Sequence, residues 1–247
     1  MKRVLVTGAA VRVGRHIALA LAENGWAVAI HYNRSSGKAD ALVADIESAG
    51  GKAHAIGCDL TDKTATDTLI GKTAKLLGGP LNALINNAST FVADSATDPH
   101  AYALNMAVNL EAPLRLSAAF ASQGHGGTIL HMIDQRVLKP NPLYFSYSLS
   151  KAALHWAMKT QAQALAPAIR VVGVGPGPTL RNTDQADGEF EAEAALTPLG
   201  QGSPPETIIH AVRYLLSAHA VTGQMIAVDG GQHLNWQSPD LLLGTET

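Results

Sequence analysis

Val4-Leu5-Val6-Thr7-Gly8-Ala9-Ala10-Val11-Arg12-Val13-Gly14 is the stretch that decides the fold. The apolar run Val4 to Thr7 has the character of a short buried strand, and Gly8 ends it. A helical pattern follows from about Gly14 to Asn24 and is closed by Gly25. Strand, glycine turn and helix in that order aim free helix N–H groups at a backbone that an anion can approach closely, as a pyrophosphate must. The usual dinucleotide fingerprint has three glycines. Here there are two, with Arg12 where another would stand, and a guanidinium beside such a loop suits a phosphate.

The alternation continues along the chain. Trp26 to Tyr32 reads as strand, about Lys38 to Ala49 as helix, Ala53 to Cys58 as strand and Asp62 to Leu77 as helix. Leu81 to Ile85 is strand, ended by Asn86-Asn87-Ala88, and roughly Ala101 to Ser122 is one long helix. Thr128 to Ile133 is strand, and the helix carrying Tyr147 runs to about Ala166 before Pro167. Ile169 to Val174 is strand, followed by Gly175-Pro176-Gly177-Pro178; a helix near Pro205 to Ser217 precedes the last strand, Met225 to Val228. Seven apolar strands alternating with six helices predict right-handed crossovers and a parallel sheet covered on both faces. The expectation is one α/β domain over residues 1–247: a doubly wound, Rossmann-type, seven-stranded parallel sheet, with residues 232–247 as a C-terminal tail. Thr179 to Pro204 is polar and poorly periodic, which fits either a substrate lid or a surface loop.

Composition narrows the class. With 47% hydrophobic and 15% charged residues in 247, the chain can bury a large core. A formal charge of −2 offers no footprint for nucleic acid or an anionic membrane surface. The single cysteine, Cys58, rules out an internal disulfide and a cysteine-based metal cage, and its strand context reads as inert packing. No metal site is expected. The apolar run at the N-terminus is too short for a signal peptide, and no stretch approaches the ~20 apolar residues of a membrane span. A soluble, cytoplasmic protein is expected.

Chemistry concentrates in His131 to Ala153, HMIDQRVLKPNPLYFSYSLSKAA. Tyr147 and Lys151 are four apart and share one helix face, with Asp134 at the preceding strand end. A phenol with a pKa near ~10 is a reluctant acid, and an adjacent ammonium would lower that value. Proton donation is the chemistry suggested. The second strand ends His31-Tyr32-Asn33-Arg34-Ser35 and lacks the acidic residue that would bond a ribose 2′-hydroxyl. Arg34, helped by Ser35 and His31, is a donor cluster suited to a 2′-phosphate, so NADPH is the expected cofactor.

Thr7-Gly8…Gly14, Asp59-Leu60, Asn86-Asn87-Ala88, Asn109, Tyr147…Lys151, Pro176-Gly177 and Asp229-Gly230-Gly231 together resemble the short-chain dehydrogenase/reductase family over nearly the whole chain. The resemblance implies that Tyr147 is the general acid. Lys151 would lower its pKa and hold the nicotinamide ribose, and Asn109 would anchor a water relaying protons to Lys151. It implies a cofactor site of Gly8, Arg12, Val13, Gly14, His31, Tyr32, Asn33, Arg34, Ser35, Asp59, Leu60, Asn87, Ala88, Ser89, Met132, Tyr147, Lys151, Pro176, Gly177 and Thr179. Two departures from most ketone-reducing members, Arg12 for Gly and Asp134 for Ser, are similar to the pteridine reductase branch, which includes dihydromonapterin and dihydrofolate reductases. Tyr144, three before Tyr147, and Phe91, after the Asn-Asn-Ala strand end, match that branch too. The implied substrate site is Arg12, Ser89, Phe91, Asp134, Tyr144, Tyr147 and Pro178.

An ionised Asp134 can only accept hydrogen bonds, so it would repel the charge growing on a ketone oxygen but complement the N–H-rich edge of a pterin. Phe91 offers a flat face worth about 1 kcal/mol beyond area burial if it stacks. Reduction of a pterin-like heterocycle therefore leads, ahead of a ketone or sugar reductase and of an NADP-binding redox sensor. Leu149, Ala153, Trp156 and Met158 on the Tyr147 helix, with Trp236 and Leu241 to Leu243, amount to more apolar surface than a monomer should expose. The resemblance implies a homotetramer.

Overall fold

The computed structural model describes residues 1–181 and 187–236. Strands β1 (Arg3–Val6), β2 (Ala27–Tyr32), β3 (Lys52–Gly57), β4 (Ala83–Asn86), β5 (Gly127–Met132), β6 (Ile169–Pro176) and β7 (Met225–Val228) form one parallel sheet in the order β3-β2-β1-β4-β5-β6-β7. The order reverses between β1 and β4, and the crevice beyond their carboxyl ends is where doubly wound sheets bind ligands.

Both sheet faces are apolar because both are covered. Val4 and Val6 pack with Ile17 and Leu21 of α1 (Arg12–Glu23), Leu42 and Ile46 of α2 (Ser36–Ser48), and, further along the chain, Val212. Leu5, pointing the other way, belongs to a second cluster with Leu69 of α3 (Lys63–Leu77), Leu116, Phe120 and Met158. Local signals set the ends of α3: the Asp62 carboxylate caps it by accepting from the Ala65 N–H at 3.0 Å, and Gly78 closes it at φ 76°.

Three expectations need correction. The helix expected over Ala101 to Ser122 is α4 (Tyr102–Met106) and α5 (Ala112–Ala121) joined by a π-helical turn, Ala107–Glu111, which carries Asn109. Beyond α6 (Phe145–Leu165), the polar segment holds a helix that its periodicity did not reveal, α7 (Glu189–Ala195), before α8 (Pro205–Ser217). Its residues 182–186, like the leucines 241–243, lie outside the described residues. Met158, expected on an outer face of α6, is fully buried against the sheet, whereas Leu149 and Trp156 are exposed.

Gly14 shows how tightly the site's frame is drawn. A Cβ there would lie 2.4 Å from the Gly8 carbonyl oxygen and 2.6 Å from Asn87 Nδ2, with backbone that cannot yield. Gly14→Ala should therefore lower stability by ~1–3 kcal/mol, the range for overpacking. Urea unfolding checks this, and an unchanged midpoint would show that α1 has room to shift.

Candidate active site

The crevice is framed by hydrogen bonds between the ends of β1 and β4. Thr7 Oγ1 accepts from the N–H groups of Asn87 and Ala88, both at 2.9 Å, and Asn87 Nδ2 donates to Thr7 O at 2.8 Å. Gly8 sits at φ 63°, and a Cβ there would touch Ala88 Cα at 3.0 Å, so glycine is required on both counts. Val13 and Gly14 lie in the first turn of α1. Arg12 adopts φ 53°, unusual for a side-chain-bearing residue, and its guanidinium donates to Leu180 O at 3.0 Å and Arg181 O at 2.8 Å. It thus ties the glycine-rich turn to the segment after Pro176, Gly177, Pro178 and Thr179, whose hydroxyl donates back to Gly177 O.

Tyr32 at the end of β2 lies over Gly57, and Asn33, Arg34 and Ser35 form the exposed turn into α2. Asp59 and Leu60 follow β3; the Thr61 N–H and hydroxyl, then the Arg34 charge, hold the Asp59 carboxyl below its usual range. His31 must be taken out of the anion-binding cluster. It is buried, its Nδ1 accepts from the Gly8 N–H at 3.0 Å, and its Nε2 donates to Cys58 O at 3.0 Å. Burial lowers its pKa to about 4, so it is a neutral strut, not a cation. Cys58 is partly exposed just past β3, and burial pushes its thiol pKa up, in keeping with an unreactive side chain.

At the centre, Tyr147 Oη donates to Asp134 Oδ2 at 2.6 Å, both residues being buried. Asp134 also accepts from the Arg136 N–H at 2.8 Å and pairs with its guanidinium at 3.5 Å. Lys151, one turn along α6, donates from Nζ to Met132 O at 2.8 Å. Burial lowers the Lys151 pKa to about 8 against the raising influence of Asp134. The expected lowering of Tyr147 by Lys151 is not what this arrangement does. Burial first, then the Asp134 charge and the hydrogen bond to it, raise the Tyr147 pKa well above 10.0, and the Arg136 charge opposes this.

Phe91 is 37% exposed and is not a core aromatic. It stacks on Tyr144 with centroids 4.2 Å apart and meets Tyr147 edge-on at 4.7 Å. Arg136 lies 5.2 Å from the centroids of Phe91 and Tyr144. Asn109 is fully buried; its Oδ1 accepts from Thr90 N at 2.8 Å and Ser89 Oγ at 3.0 Å, and its Nδ2 donates to Thr90 O at 3.0 Å and Ser150 Oγ at 3.1 Å. Its side chain is committed to joining this loop to α6, which leaves no amide proton for a relay water.

Two contributors escaped the sequence reading. Arg136, two residues past Asp134, carries the site's guanidinium. Asp94 accepts from the Ser146 N–H at 2.9 Å and bridges to Tyr144, fastening the loop after Phe91 to the start of α6. Among the described residues, no cluster of three or more His, Cys, Asp or Glu could hold a metal.

Fold and site together define an oxidoreductase class: a doubly wound sheet with a dinucleotide crevice and a Tyr–Lys pair at its carboxyl edge. The chain belongs to the short chain dehydrogenase family, whose model matches residues 2–193. It is 33% identical to an L-rhamnose 1-dehydrogenase (NAD(P)(+)) of Sphingomonas sp. (strain SKA58), covering 96% of this chain and 98% of that protein. It is 30% identical to a dihydromonapterin reductase of Citrobacter koseri, over 94% and 96% of the two. Among solved structures, FolM alternative dihydrofolate reductase 1 from Brucella canis, complexed with NADP, matches with a TM-score of 0.93 and 40% identity over 97% of each chain.

The buried histidines give a testable pH dependence. His131, bonded to Asn86 and Gln161, is also lowered to about 4 by burial, so both imidazoles are neutral in the fold above that value. In the unfolded chain they bind protons near 6.5, so between pH 6.5 and about 4 the unfolded state holds more protons and stability falls as pH falls. His131→Gln should flatten this decline in urea midpoints. An unchanged slope would mean His131 is protonated in the fold.

Proposed function

We propose that this chain is an NADPH-dependent reductase that transfers hydride to a dihydropterin-type heterocycle, with Tyr147 as the proton donor. The observation that carries the reading is the hydrogen bond from Tyr147 to Asp134. A carbonyl reductase needs donors at the substrate oxygen, and a carboxylate there opposes the charge that builds up. Reduction of a ring C=N places the new proton on a nitrogen, and the surrounding ring N–H groups supply donors that a carboxylate accepts. Exposed Phe91, stacked with Tyr144 beside Tyr147, offers a flat surface for such a ring.

The residues present fit NADPH. Gly8 and Gly14, where a Cβ would strike backbone, admit a pyrophosphate; Arg34 in its exposed turn suits a 2′-phosphate; Lys151 would hold ribose hydroxyls. The bound cofactor supplies the hydride. Tyr147 holds a proton that its raised pKa keeps in place until a basic acceptor arrives, and Asp134 and Arg136 orient the phenol. A second reading, a sugar-type substrate, is favoured by the rhamnose dehydrogenase relative. There Asp134 would draw a proton from a hydroxyl through Tyr147.

We also infer a cytoplasmic homotetramer acting on a small molecule, without nucleic acid or membrane. Trp156 and Trp236, 69% and 71% exposed, support burial between copies, and no described helix is long and apolar enough to cross a membrane.

An NADPH-oxidation assay with dihydropterins against ketone and sugar panels decides between the readings. Tyr147→Phe should cut dihydropterin turnover by ~10²-fold or more with NADPH affinity nearly unchanged. Retained turnover would move proton donation elsewhere. Asp134→Ser, exchanging an acceptor for a donor, should lower dihydropterin reduction and raise activity on simple ketones; the sugar reading predicts no such gain. Arg34→Ala should weaken NADPH by ~10-fold or more and leave NADH largely unaffected. Equal losses would show that Arg34 does not read the 2′-phosphate.

A further inference from the structure

A cavity of about 610 Å³ lies between segment 135–143, α7 and the turn Gln232–Leu234. None of Phe91, Tyr144, Tyr147 and Lys151 lines it, so it is separate from the reaction centre, yet Arg136 belongs to both. The same guanidinium that pairs with Asp134 and lies beside Phe91 and Tyr144 forms part of the cavity wall. Whatever extends from a ring bound at Phe91 past Arg136 enters this space.

We propose that the cavity takes the substrate's side chain, and that this side chain is an aryl amide ending in a carboxylate, as in a folate, and not a short polyol. The proposal rests on the dihydropterin reading and deepens it. Volume is the first reason: a three-carbon polyol would fill a small part of a space within the range of drug-sized ligand sites. The walls are the second. Leu143 and Leu196 line the cavity and are 67% and 75% exposed, apolar surface that a flat ring would cover and that hydroxyl groups would not.

Charge is the third reason. The Lys139 ammonium lines the cavity and makes no hydrogen bond or ion pair among the described residues. Glu193, the acidic residue of the lining, is engaged by Gln232 Nε2 at 3.3 Å, and Arg136 by Asp134. A cation is thus left for an anionic end group. Gln135, only 5% exposed, keeps a buried Oε1 without a hydrogen-bond partner, an acceptor that an amide N–H can satisfy.

The test compares kcat/KM for dihydrofolate with that for dihydromonapterin, whose side chain is a short polyol, in the full-length NADPH-loaded enzyme. The wild type should favour dihydrofolate. Lys139→Glu should reduce that preference by about five-fold or more, mostly through KM, because it replaces an attraction by a repulsion, and Lys139→Arg should keep it. Calorimetric titration of dihydrofolate into the enzyme with NADP⁺ should show the same loss in Kd. A wild type that prefers dihydromonapterin, or a ratio indifferent to Lys139→Glu, overturns the assignment while leaving dihydropterin reduction intact. Failure to reduce either compound overturns the reaction itself and the side-chain assignment with it.

Discussion

The 2.6 Å hydrogen bond from Tyr147 to Asp134 is the constraint on which the rest of the site depends. It joins the end of β5 to one face of α6, so the strand end and helix must meet in one register, and Lys151 bonded to Met132 O repeats the tie one turn further on. The bond is buried, where an unpaired carboxylate or phenol would be costly. Arg136 closes the group by pairing with the same carboxylate oxygen that receives the phenol proton. The result is a proton held between two oxygens beside an aromatic surface, with a cation behind it.

Other contacts serve to keep that group in place. Asn109, freed from regular helical geometry in its π-helical turn, ties Thr90 to Ser150, and Ser150 donates to Tyr147 O at 2.6 Å. Asp94 fastens the start of α6 to the loop that follows Phe91. On the cofactor side, His31 supports the Gly8 turn and Asn87 supports both Thr7 and Gly8. Each of these polar side chains spends its hydrogen bonds on backbone near the reacting groups, so loss of any one should be felt in geometry before stability.

Most of the fold was legible in the sequence because the signals were local. Apolar runs, glycine stops and the four-residue spacing of Tyr147 and Lys151 each depend on a few neighbours. What was missed depends on tertiary contact. His31 at a strand end looks like a donor until the sheet buries it between Gly8 and Cys58. A π-helical turn leaves no mark on an apolar helical pattern, and Met158 was assigned outward because its helix is apolar on several sides. The Tyr147 pKa was expected to follow Lys151, its partner in the motif. It follows Asp134 instead, because the shorter contact is to the carboxylate. Arg136 went unread because its role exists only once segment 135–137 turns back over Phe91.

The central claim is that the carboxylate, and not the ammonium, governs the phenol. Spectrophotometric titration of tyrosinate absorbance, as the difference between the wild-type protein and Tyr147→Phe, measures it directly. The account predicts that the Tyr147 phenol stays protonated beyond the ordinary value of 10.0 for as long as the fold persists. Ionisation of Tyr147 below that value would contradict it and restore Lys151 as the controlling charge.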